Sequence, residues 1–263
     1  MRPATVYAKF LPWFYLVAVY VLIIGCSSTT LDNDSPPEVQ YAEGERLLSK
    51  DRYLEAVERF RILKSRYPYS KYAALATLKI GDTHFKDEAY LEAAAAYKIF
   101  RELYPKHEFA AYALYRIGES FYNQMPSTTD RDLDPAQSAI EAFSQLISEY
   151  PAAPQRGDAE KRILELRGKL AEKETYVGDF YFKRELYQAA AGRYLYLLTQ
   201  YPDLGTPEKS LYRLAYSYER TGDYGKAEQA LDRLEKEFPK DENDRKTLRK
   251  KIIAGLGTQE ETK

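Results

Sequence analysis

A small residue recurs along this chain at a fixed interval, and the rest of the sequence keeps step with it. Gly44, Gly81 and Gly118 lie 37 residues apart and are followed by Glu45, Asp82 and Glu119; Gly178-Asp179 resumes the series, and Ala215 lies 37 residues further on. Counted from these positions, an aromatic falls at +9 (Tyr53, Tyr90, Tyr187, Tyr224) and a small residue at +12 (Ala56, Ala93, Ala190, Ala227). A large apolar residue falls at +16 (Phe60, Tyr97, Tyr194, Leu231). An aromatic-proline pair closes each unit at +23/+24: Tyr67-Pro68, Tyr104-Pro105, Tyr201-Pro202 and Phe238-Pro239. The third unit obeys the same rule after an insertion of nine residues, giving Ala139, Phe143 and Tyr150-Pro151, and another 14 residues precede the fourth. A chain with this period is built from like units, each unable to bury its own apolar face but able to do so in a stack.

Within a unit the apolar residues follow the helical period, as in Leu75, Leu78, Gly81 and Phe85. Gly in the first helix and Ala in the second let two backbones approach, and a larger residue at Ala56 or Ala93 would overpack by about 1–3 kcal/mol. Proline cannot continue a helix and pushes its predecessor out of the αR region, so each unit stops there. The fold expected is all-α: a right-handed superhelix of five tetratricopeptide-like helix pairs, in two lobes joined by a long helix. Residues 123–134 break the period inside the third unit, and Asp134-Pro135 restart it, with Asp134 as N-cap and Pro135 at the first helical position. In the second insertion, 155–177, Ala159, Ile163, Leu166 and Leu170 keep helical spacing, and no proline follows Pro154 before the fourth unit. One helix over 156–183, about 42 Å long at 1.5 Å per residue, is therefore expected. The lobes are repeats 1–3 (38–154) and repeats 4–5 with a capping helix (178–255), the cap over 241–253. Residues 256–263 are expected to be a disordered tail.

The N-terminal end carries an address. Arg2 and Lys9 precede an uncharged run over residues 10–24, short for a bilayer span but suited to a secretory leader. The run ends in Ile23-Ile24-Gly25-Cys26, and Cys26 is the one cysteine of the chain. This resembles a bacterial lipobox, which implies a leader of residues 1–25, a covalent lipid on Cys26 and a flexible tether over 26–37. Ser27, in place of the Asp that retains such proteins at the inner membrane, implies the outer membrane with the chain facing the periplasm. Two or three acyl chains, each buried CH₂ contributing about 0.8 kcal/mol, anchor a protein stably.

Composition excludes several other functions. Without the leader the chain holds 37 basic and 40 acidic residues, so no cationic footprint for nucleic acid is present. One cysteine excludes a disulfide framework, and two histidines, His84 and His107, argue against a His-based metal site. His84 reads as a helix residue and His107 as the start of the next helix. Asp130, Asp132 and Asp134 alternate like a fragment of a cation loop but lack its glycine and distal Glu, so turn-making and capping explain them more simply. No nucleophile elbow, phosphate loop or HExxH motif is present, so catalysis is not expected, and neither is any cofactor beyond the lipid. The basic run Lys246 to Lys251 reads as a solvated helix face, with lipid or a partner as the other possibility.

The lipobox, the five repeats ending in Tyr-Pro, the Asp130-Arg131-Asp132 insertion before Asp134-Pro135 and the long helix coincide in one pattern. Together they resemble the BamD family of outer-membrane β-barrel assembly lipoproteins, most specifically over Asp130 to Pro151. The resemblance implies a non-enzymatic scaffold that binds the barrel protein BamA through the C-terminal repeats and receives unfolded barrel substrates at the N-terminal ones. Arg193 matches a basic position the family turns toward BamA, and Asp130, Arg131 and Asp132 join it as partner-binding residues. The longer charged C-terminus, Asp241 to Lys263, is a departure that leaves the accessory lipoproteins open. If the first helix of each pair lines the concave face, Leu78, Phe85, Lys86, Tyr112, Tyr115 and Tyr122 form a substrate groove, with Asp82 and Glu119 beside them. Its aromatics would supply contact area to a barrel segment, and Lys86 a partner for a terminal carboxylate. The same aromatics also fit plain inter-helix packing. The other client class open to such a repeat lipoprotein is a peptidoglycan-remodelling or polysaccharide-export protein.

Overall fold

The computed structural model describes residues 32–128, 131–205, 207–240 and 242–261, and among them every regular element is helical. Eleven α-helices follow in order: α1 (Pro37–Ser49), α2 (Tyr53–Arg66), α3 (Lys71–Lys86), α4 (Tyr90–Leu103), α5 (Ala110–Asn123), α6 (Asp134–Glu149), α7 (Arg156–Lys183), α8 (Tyr187–Gln200), α9 (Glu208–Arg220), α10 (Tyr224–Glu237) and α11 (Asn243–Glu261). Helices α1 to α6 form repeats 1–3, the second half of α7 pairs with α8 as repeat 4, α9 and α10 are repeat 5, and α11 packs on them.

Backbone chemistry sets the punctuation. The residue before each closing proline (Tyr67, Tyr104, Tyr150, Tyr201, Phe238) caps its helix with φ between −126° and −132°, the excursion that a following proline imposes. Inside each pair the tight turn places the +7 residue in the left-handed region: Asp51 at φ 56°, Glu88 at 58°, Glu185 at 60° and Gly222 at 78°. Only repeat 5 has the glycine that this conformation favours. The third repeat has no such turn, because its insertion stands there.

The repeated glycine proves to be the seat of an aromatic ring. A Cβ added at Gly44, Gly81, Gly118 or Gly178 would stand 2.4, 2.7, 2.5 or 2.7 Å from Phe60, Tyr97, Phe143 or Tyr194, the +16 residue of the same unit. All four rings are fully buried. Repeat 5 has Leu231 at +16, without a ring, and there the first position is Ala215. The acid after the glycine follows the same logic. Tyr97 and Tyr194 donate hydroxyl hydrogen bonds of 2.7 Å to Asp82 and Asp179, whereas the two phenylalanines are preceded by Glu45 and Glu119.

Three cores result. One joins repeat 1 to the near side of repeat 2 around Phe60, Leu63 and Ile80. The second runs through repeats 2 and 3 and takes in Ala159 and Leu166 from the first half of α7. The third holds repeats 4 and 5 with Leu248 and Ile252 of α11, and Tyr181 and Phe182 of α7 pack against it. The long helix spans 28 residues, with one half in each of the last two cores.

Several expectations need correction. Asp134 is not the N-cap of α6: buried Leu133 holds that place, and the carboxylate of Asp132 accepts the Asp134 N–H at 3.1 Å. Capping thus falls to the preceding acid because Leu133 is drawn into the core. Helix α11 does not end near 253 but continues to Glu261, through most of the stretch expected to be disordered, and Gly255 lies against the Tyr224 ring. The tether expectation also fails from Asp32 onward. Asp34 pairs with Arg66, the Tyr67 hydroxyl donates to the carbonyls of Asp34 and Ser35 at 3.0 Å, and Gln40 Nε2 donates to the Asp32 carbonyl at 2.9 Å. The leader and Cys26 lie outside the described residues.

Candidate functional site

Where one repeat meets the next, a cation two residues before the repeated small position reaches back to its neighbour. Arg116 of α5 lies 3.4 Å over the ring of Phe85 and donates from Nε to the Tyr97 hydroxyl at 3.2 Å. Arg213 of α9 lies 4.8 Å over Phe182 and pairs with Asp179. Phe85 and Phe182 are both the +4 residue of their units, so the two junctions are built alike. In repeat 1 the +4 residue is Leu48, and the matching cation is Lys79, 3.4 Å from Glu45. A planar guanidinium stacks on a ring; an ammonium acts as a point charge, and each junction carries the suitable one. Repeat 4 has Tyr176 at this position. The first half of α7 supplies the missing arginine: Arg162 lies 4.0 Å over Tyr122, the +4 residue of repeat 3, and 3.4 Å from Glu119. The connecting helix therefore docks on repeat 3 as the next repeat would.

The groove residues expected from sequence fall on these junctions. Leu78 does not line a groove: it is 4% exposed, turned into the core against repeat 3. Phe85 lies beneath Arg116 and edge-on to Tyr90. The hydroxyl of Tyr112 donates to Asp82 at 3.0 Å, that of Tyr122 to Glu165 at 2.6 Å, and that of Tyr115 to Asp158. These three tyrosines are half-buried, and Lys86 at the end of α3 is exposed. Burial, then the charge of Asp82, pushes the Tyr112 phenol up to about 12. Burial and acceptor carboxylates raise Tyr115 and Tyr122 as well, so all three remain hydrogen-bond donors at neutral pH. Burial lowers the pKa of His84, as expected of a helix histidine shielded from water.

A second set of residues converges on one turn of α7. The carbonyl of Arg131 accepts a hydrogen bond from Lys173 at 3.2 Å, and Asp132 stands 3.9 Å from the same ammonium. The next residue, Glu174, holds Arg193 of α8 at 3.2 Å. The third-repeat insertion and the repeat-4 arginine, 62 positions apart in sequence, thus flank the consecutive residues Lys173 and Glu174. Arg193 keeps 47% of its side chain exposed while Glu174 keeps 14%, so the acid is the fixed half of the pair. Asp130 lies outside the described residues. Sequence reasoning missed the junction cations Lys79, Arg116, Arg162 and Arg213. The first, second and fourth could have been found at −2 in the repeat register, but Arg162 has no register to betray it.

With the insertion and the long helix locked together in this way, the comparisons with known proteins are decisive. A family model described as "Outer membrane lipoprotein" matches residues 33–222, and one described as "Tetratricopeptide repeat" matches 209–241. The chain is 31% identical over 211 residues to the outer membrane protein assembly factor BamD of Vibrio cholerae, covering 76% of this chain and 88% of that protein. This chain belongs to the BamD family. The assembly factor BamD of Neisseria meningitidis serogroup A is 33% identical over 219 residues, covering 80% of this chain and 82% of its own. That of Xylella fastidiosa is 28% identical over 236 residues, covering 85% and 81%. A tetratricopeptide repeat protein from Parabacteroides merdae superposes with a TM-score of 0.38 at 14% identity, covering 85% of this chain and 88% of that one. The family match spans the third-repeat insertion and all of α7.

Proposed function

We propose that this chain is the lipid-anchored repeat scaffold of the outer-membrane β-barrel assembly complex, held on the periplasmic face by acylated Cys26. It binds a BamA-like barrel assembly protein and other assembly lipoproteins, presents unfolded barrel proteins for insertion, and performs no catalysis. The observation that carries the reading is the continuous family match over residues 33–222, which takes in both features that set this repeat stack apart from a generic one.

Two surfaces divide the work. Arg193, half-exposed and held by the fixed carboxylate of Glu174, has donors left over for an acid of the barrel protein, and Arg131 and Asp132 border the same turn of α7. A charge held in place before the partner arrives loses little entropy on binding. The half-buried Tyr112, Tyr115 and Tyr122, with exposed Lys86, suit an extended aromatic-rich segment ending in a carboxylate.

The test is affinity purification of the C-terminally tagged lipoprotein from detergent-solubilised outer membrane, with mass spectrometry of what is retained. A stoichiometric barrel protein with repeated periplasmic domains is expected, and Arg193→Glu should strip it away. Recovery of cell-wall enzymes in its place would overturn the assignment. Lys86→Ala with Tyr122→Ala should reduce crosslinking of a barrel peptide to the N-terminal repeats, and unchanged crosslinking would remove the groove assignment.

A further inference from the structure

The first described residues are fastened to one particular edge of the stack. Asp34 pairs with Arg66, and the Tyr67 hydroxyl holds the carbonyls of Asp34 and Ser35, so the chain enters beside the turn that follows α2. That turn, Tyr67 to Lys71, and its equivalent after α4, Leu103 to Phe109, lie on the same edge, where second helices end and first helices begin. Both carry large side chains in solvent: Tyr69 is 101% exposed, Leu103 56% and Phe109 38%. Lys71 and Lys106 are exposed beside them. From Cys26 to Asp32 there are six residue steps, a covalent reach of at most roughly 20 Å even when fully extended.

We infer that this edge, the turns 67–71 and 103–109, lies on the surface of the membrane that holds the anchor. The inference rests on the lipid-anchor reading of Cys26. A docked chain entry and a short leash keep repeat 1 within reach of the headgroups, and the edge where the leash arrives carries an exposed tyrosine, a phenylalanine and two lysines. Aromatic rings with a polar rim or tip partition to the headgroup region, and lysines are drawn to anionic lipid. The opposite edge lies one helix length away, about 20 Å for the 14 residues of α2. Its exposed leucines, Leu54 and Leu91, stand at the starts of α2 and α4 and face away from the bilayer in this arrangement.

The acylated full-length protein is reconstituted into vesicles of phosphatidylethanolamine and phosphatidylglycerol. Acylation occupies the single native thiol, so Tyr69→Cys, Phe109→Cys and Leu54→Cys each offer one site for an environment-sensitive fluorophore. Quenching by doxyl-labelled lipid should be several-fold stronger at 69 and 109 than at 54. Comparable quenching at 54, or none at 69 and 109, overturns the inference; a fluorophore shielded at 69 without lipid quenching would mark a protein contact and overturn it too. Mass spectrometry of the N-terminal peptide separates the two claims. An acylated but unquenched protein refutes the membrane-facing edge alone, and an unacylated Cys26 refutes the anchor and the edge together.

Discussion

Substituting Gly81 with alanine tests the ring-on-glycine packing directly. The new methyl would stand 2.7 Å from two carbons of the Tyr97 ring, where carbon pairs prefer about 3.5–4.0 Å. The ring has nowhere to go: it is fully buried, its hydroxyl is held by Asp82 at 2.7 Å, and Arg116 donates to that oxygen from the other repeat. Overpacking of this severity costs about 3 kcal/mol, at the top of the usual range. Alanine returns about 1 kcal/mol of helix propensity, for a net loss near 2 kcal/mol. At about 2–4 °C per kcal/mol for a chain of this size, the melting temperature should fall by roughly 4–8 °C. Gly168, within α7 with nothing near its missing Cβ, is the control. Its alanine variant should gain about 1 kcal/mol and melt roughly 2–4 °C higher. Adding Tyr97→Leu to Gly81→Ala copies the Ala215/Leu231 pair of repeat 5, and the two changes should couple favourably by at least about 1 kcal/mol. Thermal melts followed by circular dichroism read Gly81→Ala, Gly168→Ala, the single Tyr97→Leu and the double variant. A Gly81→Ala protein that melts higher, as the control does, or a strictly additive double variant, would refute the reasoning.

Three further outcomes follow from the geometry. Gly222, at φ 78°, should lose about 1–2 kcal/mol on replacement by alanine, whereas Glu88→Gly, at φ 58°, should be neutral or stabilising in the same melts. Arg162→Ala removes the guanidinium from Tyr122 and Glu119, and hydrogen exchange should quicken in the first half of α7 while repeat 5 is unaffected. Asp179 pits burial, which raises its pKa, against hydrogen bonds from Tyr194, Lys209 and Arg213, which prevail and lower it. Its stabilisation is therefore complete above the ordinary carboxylate pKa of about 3.9 and is lost as the pH falls through the lower folded value. Asp179→Asn should weaken the protein at neutral pH and flatten its acid unfolding limb; an unchanged acid slope would sink the assignment.

The sequence by itself determined the pairing of helices, their closing prolines, the extent of the long helix and the family. Each of these depends on local chemistry: the 3.6 period, the conformational restriction before proline, and a register that repeats. The same register already paired glycine with the +16 aromatic and placed cations at −2, although their meaning emerged only when the ring was seen against the glycine and the guanidinium on the +4 phenylalanine. Tertiary structure alone decided the rest. Leu78 and Phe85 lie two turns apart on one stripe of α3, yet one is core and the other a junction residue roofed by Arg116. A first helix in a stack packs on its own partner and on the next repeat at once, so its apolar face is wide, and the rotation of neighbouring helices decides which part meets solvent. Arg162 filling the place of a repeat arginine, Leu133 displacing Asp134 from the cap, and Arg131, Asp132 and Arg193 meeting at Lys173-Glu174 are likewise contacts between distant segments, to which no periodicity in one segment refers.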